Sequence, residues 1–215
     1  MPISTIRGCD PHKIMETRLS FEILAQPDEI TCGPTCLQAI YRYYGDDIDL
    51  DQVIDEVPML EGGGTLGVWL ACHALRRGYR ATIYSYKLQL FDPSWFLPNG
   101  PDIAERLKAQ LQAKNDPKLQ TATMAYLEYF KLGGRVQMSD LTPAVIRHYL
   151  KHQIPVIAGL SATCLYRSPR EFGESCDYDD IRGEPSGHFV VLCGYDSKAK
   201  DVLIADPLHT NPLSS

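Results

Sequence analysis

Several features that mark other classes of protein are missing from this sequence. No run rich in Lys or Arg occurs among its 215 residues, and the formal net charge is −6, so the basic patch typical of nucleic-acid-binding proteins is absent. No apolar stretch approaches the roughly 20 residues that a membrane-spanning helix requires. The first residues also lack the apolar core and cleavage site of a secretory signal. The sequence therefore predicts a cytoplasmic protein with no nucleic-acid partner and no membrane partner, and it leaves the oligomeric state unknown.

The cysteines give no sign of a disulfide framework or of a metal centre. Their number, seven, is odd and their spacing is irregular, which is typical of a protein from a reducing compartment. Cys32 and Cys36 would share one face of a helix, as two metal ligands can, but no second Cys pair and no HxxxH pair accompanies them. We therefore expect no metal and no other cofactor.

The sequence does contain a series of helical patterns followed by strand patterns. Apolar residues at helical spacing predict helices near 32–44, 49–57, 66–77, 102–114, 117–132 and from 142 onward. Apolar, aromatic or β-branched runs predict strands near 19–24, 79–86, 154–160, 188–195 and 201–206. Helices first and strands last indicate an α+β fold, with N-terminal helices packed on a C-terminal antiparallel sheet.

We expect this fold to form a single domain over residues 1–215. Residues 1–20 form a lead-in, and residues 88–138 form a helical insertion that begins with a Pro-rich loop and is too short for an independent core. Thr65 is predicted to cap the third helix, and residues 161–186 are predicted to be a long loop.

Cys32 stands where a reactive thiol would be expected. It opens the first predicted helix, in the run Cys32-Gly33-Pro34-Thr35-Cys36, and the backbone N–H groups and dipole at a helix start favour a thiolate. The thiolate is the nucleophilic form of cysteine, and a neighbouring imidazolium stabilises it further. The alternative interpretation is a buried, unreactive cysteine that opens a helix.

Three other residues supply the groups that a nucleophilic cysteine needs. His188 begins one apolar strand and Asp206 ends the next, and the hairpin-type turn at 195–200 would bring the two strands side by side. Asp206 could then accept the ring N–H of the histidine and hold its tautomer. Gln26 could donate its side-chain amide to an oxyanion, with the backbone N–H of Cys32 as the second donor.

On these residues the chain resembles the bacteriocin-processing, double-glycine-type cysteine peptidases of the papain-like clan and their stand-alone relatives. The resemblance rests on Gln26 and on the runs Cys32–Cys36, Gly64–Gly67, Gly187–Val191 and Ala205–Pro207. It implies a papain-like fold in a bacterial enzyme. By resemblance Cys32 is the nucleophile, His188 the base, Asp206 the base-orienting residue and Gln26 the oxyanion donor.

Three functions remain open from the sequence. The first is a cysteine peptidase or amidohydrolase that cleaves a peptide or a small amide through a thioester on Cys32. The second is an acyltransferase or transpeptidase of the same clan, which passes the acyl group to an amine instead of water. The third is a non-catalytic module that keeps the fold in order to bind a peptide.

Overall fold

The computed structural model of the chain describes residues 3–5, 17–139, 142–173 and 177–208. They divide into two compact units, one formed by Met1–Asp55 and Thr142–Ser215 and the other by Glu56–Leu141. We call the first the sheet unit and the second the helical unit. All four candidate site residues belong to the sheet unit, and the single domain expected over 1–215 stays a prediction.

The described residues form strands and helices that are interspersed along the chain. The strands are β1 (Ile3–Thr5), β2 (Thr17–Arg18), β3 (Thr82–Tyr84), β4 (Arg135–Gln137), β5 (Val156–Ser161), β6 (Glu171–Phe172), β7 (Asp177–Tyr178), β8 (Gly187–Asp196) and β9 (Asp201–Ala205). The helices are α1 (Cys32–Tyr43), α2 (Leu50–Glu56), α3 (Gly67–Arg76), α4 (Ile103–Ala113), α5 (Pro117–Lys131), α6 (Pro143–Lys151) and α7 (Ala162–Tyr166), with a 3₁₀ turn at Pro93–Phe96.

The sheet unit is organised around the long strand β8. One edge of β8 pairs with β9, with Val191 opposite Ala205. The other edge pairs with β5 over its first half, with His188 opposite Leu160, and with β2 near its end. Strand β1 joins the far edge of β9. All of these pairings are antiparallel, so the mixture of helices and one antiparallel sheet agrees with the α+β prediction.

Successive side chains of β8 enter two apolar clusters, because side chains alternate between the faces of a sheet. Val191, Cys193 and Tyr195 pack in the larger cluster, whose other buried members are Leu19, Phe21, Ile23, Cys36, Ala39, Leu150, Leu203 and Ala205. Val190 and Leu192 pack with Ile204 in the smaller cluster. Strand β8 is therefore buried on both faces, which fixes the strand that carries His188.

Helix α1 is anchored against the same strand through Cys36. The Cys36 side chain is fully buried in the larger cluster, and its thiol donates to the carbonyl of Phe189 at 3.3 Å. The helix begins at Cys32, as predicted, and Gly45 follows its end with a positive φ of 79° that suits a residue without Cβ. Cys32 lies one turn before Cys36, so the contact with Phe189 places the helix start near the beginning of β8.

The helical unit has an apolar core of its own, centred on Tyr129. This side chain is fully buried, and its ring packs in a cluster with Phe91 and Tyr126. Its hydroxyl lies 2.9 Å from the carbonyls of Ala81 and Arg135 and accepts the Arg135 N–H at 3.0 Å. These contacts tie α5 to the segments that begin β3 and β4, which pair in parallel. The helices predicted within 88–138 are confirmed as α4 and α5.

The strand predicted at residues 19–24 is wrong, because another strand occupies the sheet edge that it would need. Residues 19–24 form no strand, although Leu19, Phe21 and Ile23 are buried in alternation as a strand would bury them. The Leu19 N–H still donates to the carbonyl of Cys193 at 2.8 Å. Beyond that point the edge of β8 is occupied by β5, beginning with Val156 opposite Leu192, so the segment has no ladder to join.

Two further sequence predictions need correction. Thr65 does not cap the third helix: the N-cap of α3 is Leu66, and the Thr65 hydroxyl donates instead to the carbonyl of Pro58 at 2.7 Å. The expected loop at 161–186 contains helix α7 and the small hairpin of β6 and β7. The predicted lead-in contributes β1 and β2 to the sheet, and its residues 6–16 lie outside the described residues.

Replacing Tyr129 by Phe should destabilise the protein, because it removes the hydroxyl that pairs with backbone groups of Ala81 and Arg135. We expect the free energy of unfolding to fall by about 1–3 kcal/mol in urea denaturation, the range for leaving buried polar groups unpaired. Tyr178→Phe is the control, since that side chain is exposed and should change the free energy by less than about 0.5 kcal/mol. Equal stability of the two variants would contradict this role of the hydroxyl.

Candidate active site

Cys32 is the first residue of α1, and its side chain is 7% exposed. No described side chain caps this helix start, where the N-cap residue is Thr31. The N–H groups of the first turn have no partner within the helix, so those near the thiol can bind an anion. The Thr35 hydroxyl bonds back to the Thr31 carbonyl at 2.8 Å and stays inside the helix.

His188 and Asp206 meet because of the register between β8 and β9. Val191 is opposite Ala205, so continuing the ladder by one residue puts Asp206 opposite Val190, which is two residues from His188 on the same face. The His188 Nε2 lies 2.8 Å from the Asp206 Oδ1. Both side chains are buried, Asp206 completely and His188 to 7% exposure. The hairpin predicted from the sequence is therefore what brings the two residues together.

The second ring nitrogen of His188 remains available on the side of Cys32. The Cys32 side chain lies close enough to the His188 ring to raise its pKa, and because Nε2 is engaged with Asp206, Nδ1 is the atom left for the sulfur. Burial lowers the pKa of His188, but the hydrogen bonds to Asp206 and Cys32 and the charges of both outweigh it and raise the pKa to about 9. The site therefore favours a protonated, positively charged His188 ring at neutral pH.

The described residues provide the Asp206 carboxylate with further donors. The Leu208 N–H donates to Oδ1 at 2.9 Å, and the Tyr166 hydroxyl donates to Oδ2 at 2.7 Å. The Tyr166 ring also lies beside the His188 ring, with centroids 5.8 Å apart. Tyr166 is the site residue that sequence reasoning missed. It falls in the segment predicted to be a loop, and no local pattern links it to Asp206.

The backbone of Gln26 lies beside the residue that follows Asp206, whereas its side-chain amide bonds to a neighbouring carbonyl. Its backbone N–H donates to the Pro207 carbonyl at 2.9 Å, which ties the loop before α1 to the end of β9. Its side-chain Nε2 donates to the Asp28 carbonyl at 2.6 Å, and its Oε1 is buried with no hydrogen-bond partner among the described residues. A primary amide carries two N–H donors, so one remains for an oxyanion. That role stays a prediction.

The other described thiols differ from Cys32 in their surroundings. Burial raises the pKa of Cys36 well above the usual range, and the charges of Cys32 and Asp206 raise it further. Burial likewise raises the pKa of Cys193 to about 12 and that of Cys72 to about 11. Cys164 is exposed. These thiols stay protonated at neutral pH where they are buried, which makes Cys164 the natural reference for reactivity.

Comparison with known proteins identifies a family. Residues 106–213 match the family described as the Peptidase_C39 like family, which covers half of the chain. The chain belongs to this family. No curated protein and no solved structure matches it. Membership indicates a cysteine peptidase with peptide substrates, in agreement with the resemblance seen in the sequence. His188 and Asp206 lie inside the matched range, and Cys32 and Gln26 precede it.

The described residues contain neither a metal-binding cluster nor a membrane-spanning helix. Among the described residues of this Peptidase_C39-like chain, no group of three or more His, Cys, Asp or Glu side chains is arranged to hold a metal ion. Within the same residues, no helix combines the length and the apolar character needed to cross a bilayer.

The pairing of Cys32 with His188 should be measurable through two small alkylating reagents. Iodoacetate carries a carboxylate that an imidazolium attracts, whereas iodoacetamide is neutral. Below about pH 9, where His188 keeps its proton, iodoacetate should be favoured at Cys32 relative to Cys164 in the same sample. The preference should decay as the pH rises through that value, as followed by peptide-resolved mass spectrometry.

The His188→Ala variant is the control for this measurement. It should remove the preference for iodoacetate at Cys32 and leave Cys164 unchanged. A preference that persists in the variant, or a Cys32 that behaves like Cys164 at every pH, would contradict the pairing.

Proposed function

We propose that this chain is a cysteine peptidase or amidohydrolase with a papain-like arrangement, in which Cys32 is the nucleophile and His188 the base. Asp206 orients His188, and Gln26 contributes to the oxyanion hole. The observation that carries the proposal is the buried hydrogen bond between His188 and Asp206, with the Cys32 side chain close enough to the same imidazole to raise its pKa. A cysteine at a helix start that faces a histidine and an aspartate on neighbouring antiparallel strands supports the papain-like arrangement.

The first half of the reaction forms a thioester. The Cys32 thiolate attacks the carbonyl carbon of a peptide or amide, and the carbonyl oxygen takes up the negative charge. The His188 imidazolium then gives its proton to the leaving nitrogen as the C–N bond breaks, so the amine leaves neutral. The acyl group stays on the Cys32 sulfur, and His188 is left as a neutral imidazole.

The second half of the reaction uses the neutral imidazole as a base. His188 takes a proton from a water molecule, the resulting hydroxide attacks the thioester, and the acid product leaves as the thiolate reforms. Asp206 supports both halves because its carboxylate holds the Nε2–H and keeps Nδ1 directed at the reacting atoms. The Cys32 N–H and the free amide hydrogen of Gln26 would bind the oxyanion.

Product analysis after incubation with a mixture of peptides and small amides tests this function. The wild-type protein and Cys164→Ala should generate the same products, because Cys164 is exposed and outside the proposed site. Cys32→Ala and His188→Ala should each lower the rate by more than about 10³-fold, as expected when one member of a catalytic set is removed. Gln26→Ala should lower kcat by about 10²-fold, the effect of one oxyanion donor.

Two arms of the experiment separate the alternatives. Adding a primary amine such as glycine amide shows whether the acyl group passes to nitrogen, which would support an acyltransferase in place of a hydrolase. Peptide binding that survives in Cys32→Ala, together with no turnover by the wild type, would overturn the catalytic proposal in favour of a peptide-binding module.

A further inference from the structure

Tyr166 makes contact with both ends of the His188–Asp206 pair. Its hydroxyl donates to the Asp206 Oδ2 at 2.7 Å, and its ring lies beside the His188 imidazole at 5.8 Å between centroids and an angle of 54°. We propose that Tyr166 is a positioning residue, which holds the Asp206 carboxylate in the orientation that presents Oδ1 to His188. This inference rests on the catalytic function proposed above.

The pairing of β5 with β8 positions Tyr166 next to His188 and Asp206. Strand β5 pairs with the start of β8, with Leu160 opposite His188 and Ser161 opposite Gly187, and the Ala162 N–H donates to the Ser186 carbonyl at 2.9 Å. Helix α7 follows directly, because the Ser161 side chain accepts the Cys164 N–H. Tyr166 is the last residue of that helix and is therefore fixed by the ladder that also fixes His188.

The chain turns away immediately after Tyr166. Arg167 has a positive φ of 55°, in the left-handed region that a residue with a side chain adopts rarely. The next described elements are the hairpin strands β6 and β7, before the chain returns to Gly187. The break ends α7 at the residue that reaches Asp206.

The hydroxyl of Tyr166 restricts the rotation of the Asp206 carboxylate. A carboxylate has two equivalent oxygens and a soft torsion about the bond that carries it. His188 and the Leu208 N–H both use Oδ1, and Tyr166 uses Oδ2. Rotation of the carboxylate would break these bonds together, so the tyrosine keeps the plane of the carboxylate in line with the imidazole.

Tyr166 can act only as a donor in this site. An ionised carboxylate accepts hydrogen bonds and donates none, so the shared proton belongs to the phenol. Burial, the hydrogen bond to Asp206 and the nearby charges of Asp206 and Cys32 all raise the pKa of Tyr166. The phenol therefore stays neutral throughout the pH range in which the Cys32 thiolate and the His188 imidazolium coexist.

The test is the Tyr166→Phe variant, which removes the hydroxyl and keeps the ring beside His188. The side chain is only partly buried, so this substitution should leave the fold intact. The readout is the pH at which Cys32 loses its preference for iodoacetate over iodoacetamide. In the variant a less well-oriented carboxylate stabilises the imidazolium less, and this pH should fall by about one unit, the size expected from weakening one charged hydrogen bond.

Tyr43→Phe is the matched control. Tyr43 also belongs to the sheet unit, at the opposite end of α1 from Cys32, and its hydroxyl donates to the Gln153 carbonyl at 3.1 Å. It reports what the loss of one tyrosine hydroxyl bond does to stability alone. In the control, the pH at which Cys32 loses its preference for iodoacetate (the pH limit) should equal that of the wild type. This should hold even if the melting temperature falls as much as that of Tyr166→Phe.

A double-mutant cycle with Asp206→Asn shows whether Tyr166 acts through Asp206. If it does, Tyr166→Phe should cause no further shift when Asp206→Asn is already present, because coupled residues are not additive. A full additional shift, an unchanged pH limit in Tyr166→Phe, or a shift shared by Tyr43→Phe would overturn the positioning role.

This experiment also separates the two proposals. If wild-type Cys32 shows no pH-dependent preference at all, the proposed function fails first. If the wild type shows the preference and Tyr166→Phe keeps the wild-type limit, only the role of Tyr166 fails.

Discussion

The hydrogen bond between His188 and Asp206 is the interaction on which the site depends. Asp206 is completely buried, and an ionised carboxylate in such a place is tolerated only when donors and an opposite charge surround it. His188, Tyr166 and the Leu208 N–H supply them. Because a lone buried charge is so unfavourable, each donor must be held accurately, and this requirement constrains three separate segments of the chain.

Strand β8 meets that requirement by serving several purposes at once. It carries His188 at its start, pairs with β9 to bring Asp206 alongside, and pairs with β5 to set the position of Tyr166. Its carbonyl at Phe189 also accepts the Cys36 thiol, which sets the start of α1 and with it Cys32. A shift of one residue in the pairing of β8 would move these side chains to the opposite face and separate all of them.

Sequence reasoning succeeded where the determining interactions are local. The start of α1 at Cys32 follows from helical spacing and from Pro34 in the first turn, and the hairpin that joins β8 to β9 follows from two apolar runs around a polar turn. It failed where distant segments compete. The alternating burial of Leu19, Phe21 and Ile23 resembles a strand, yet β5 occupies the edge that such a strand would need. Tyr166 depends on that same pairing across a long connection, so no local pattern could indicate it.

If a charged His188 links Cys32 to Asp206, a histidine-resolved NMR titration should reveal its raised pKa. The His188 signals would be assigned by their loss in His188→Gln and followed against pH in the wild type and in Cys32→Ala. We predict that His188 keeps its proton through neutral pH and loses it near pH 9, and that its titration moves to lower pH in Cys32→Ala. A His188 that titrates near its ordinary value of about 6.5, with no response to Cys32→Ala, would contradict this link.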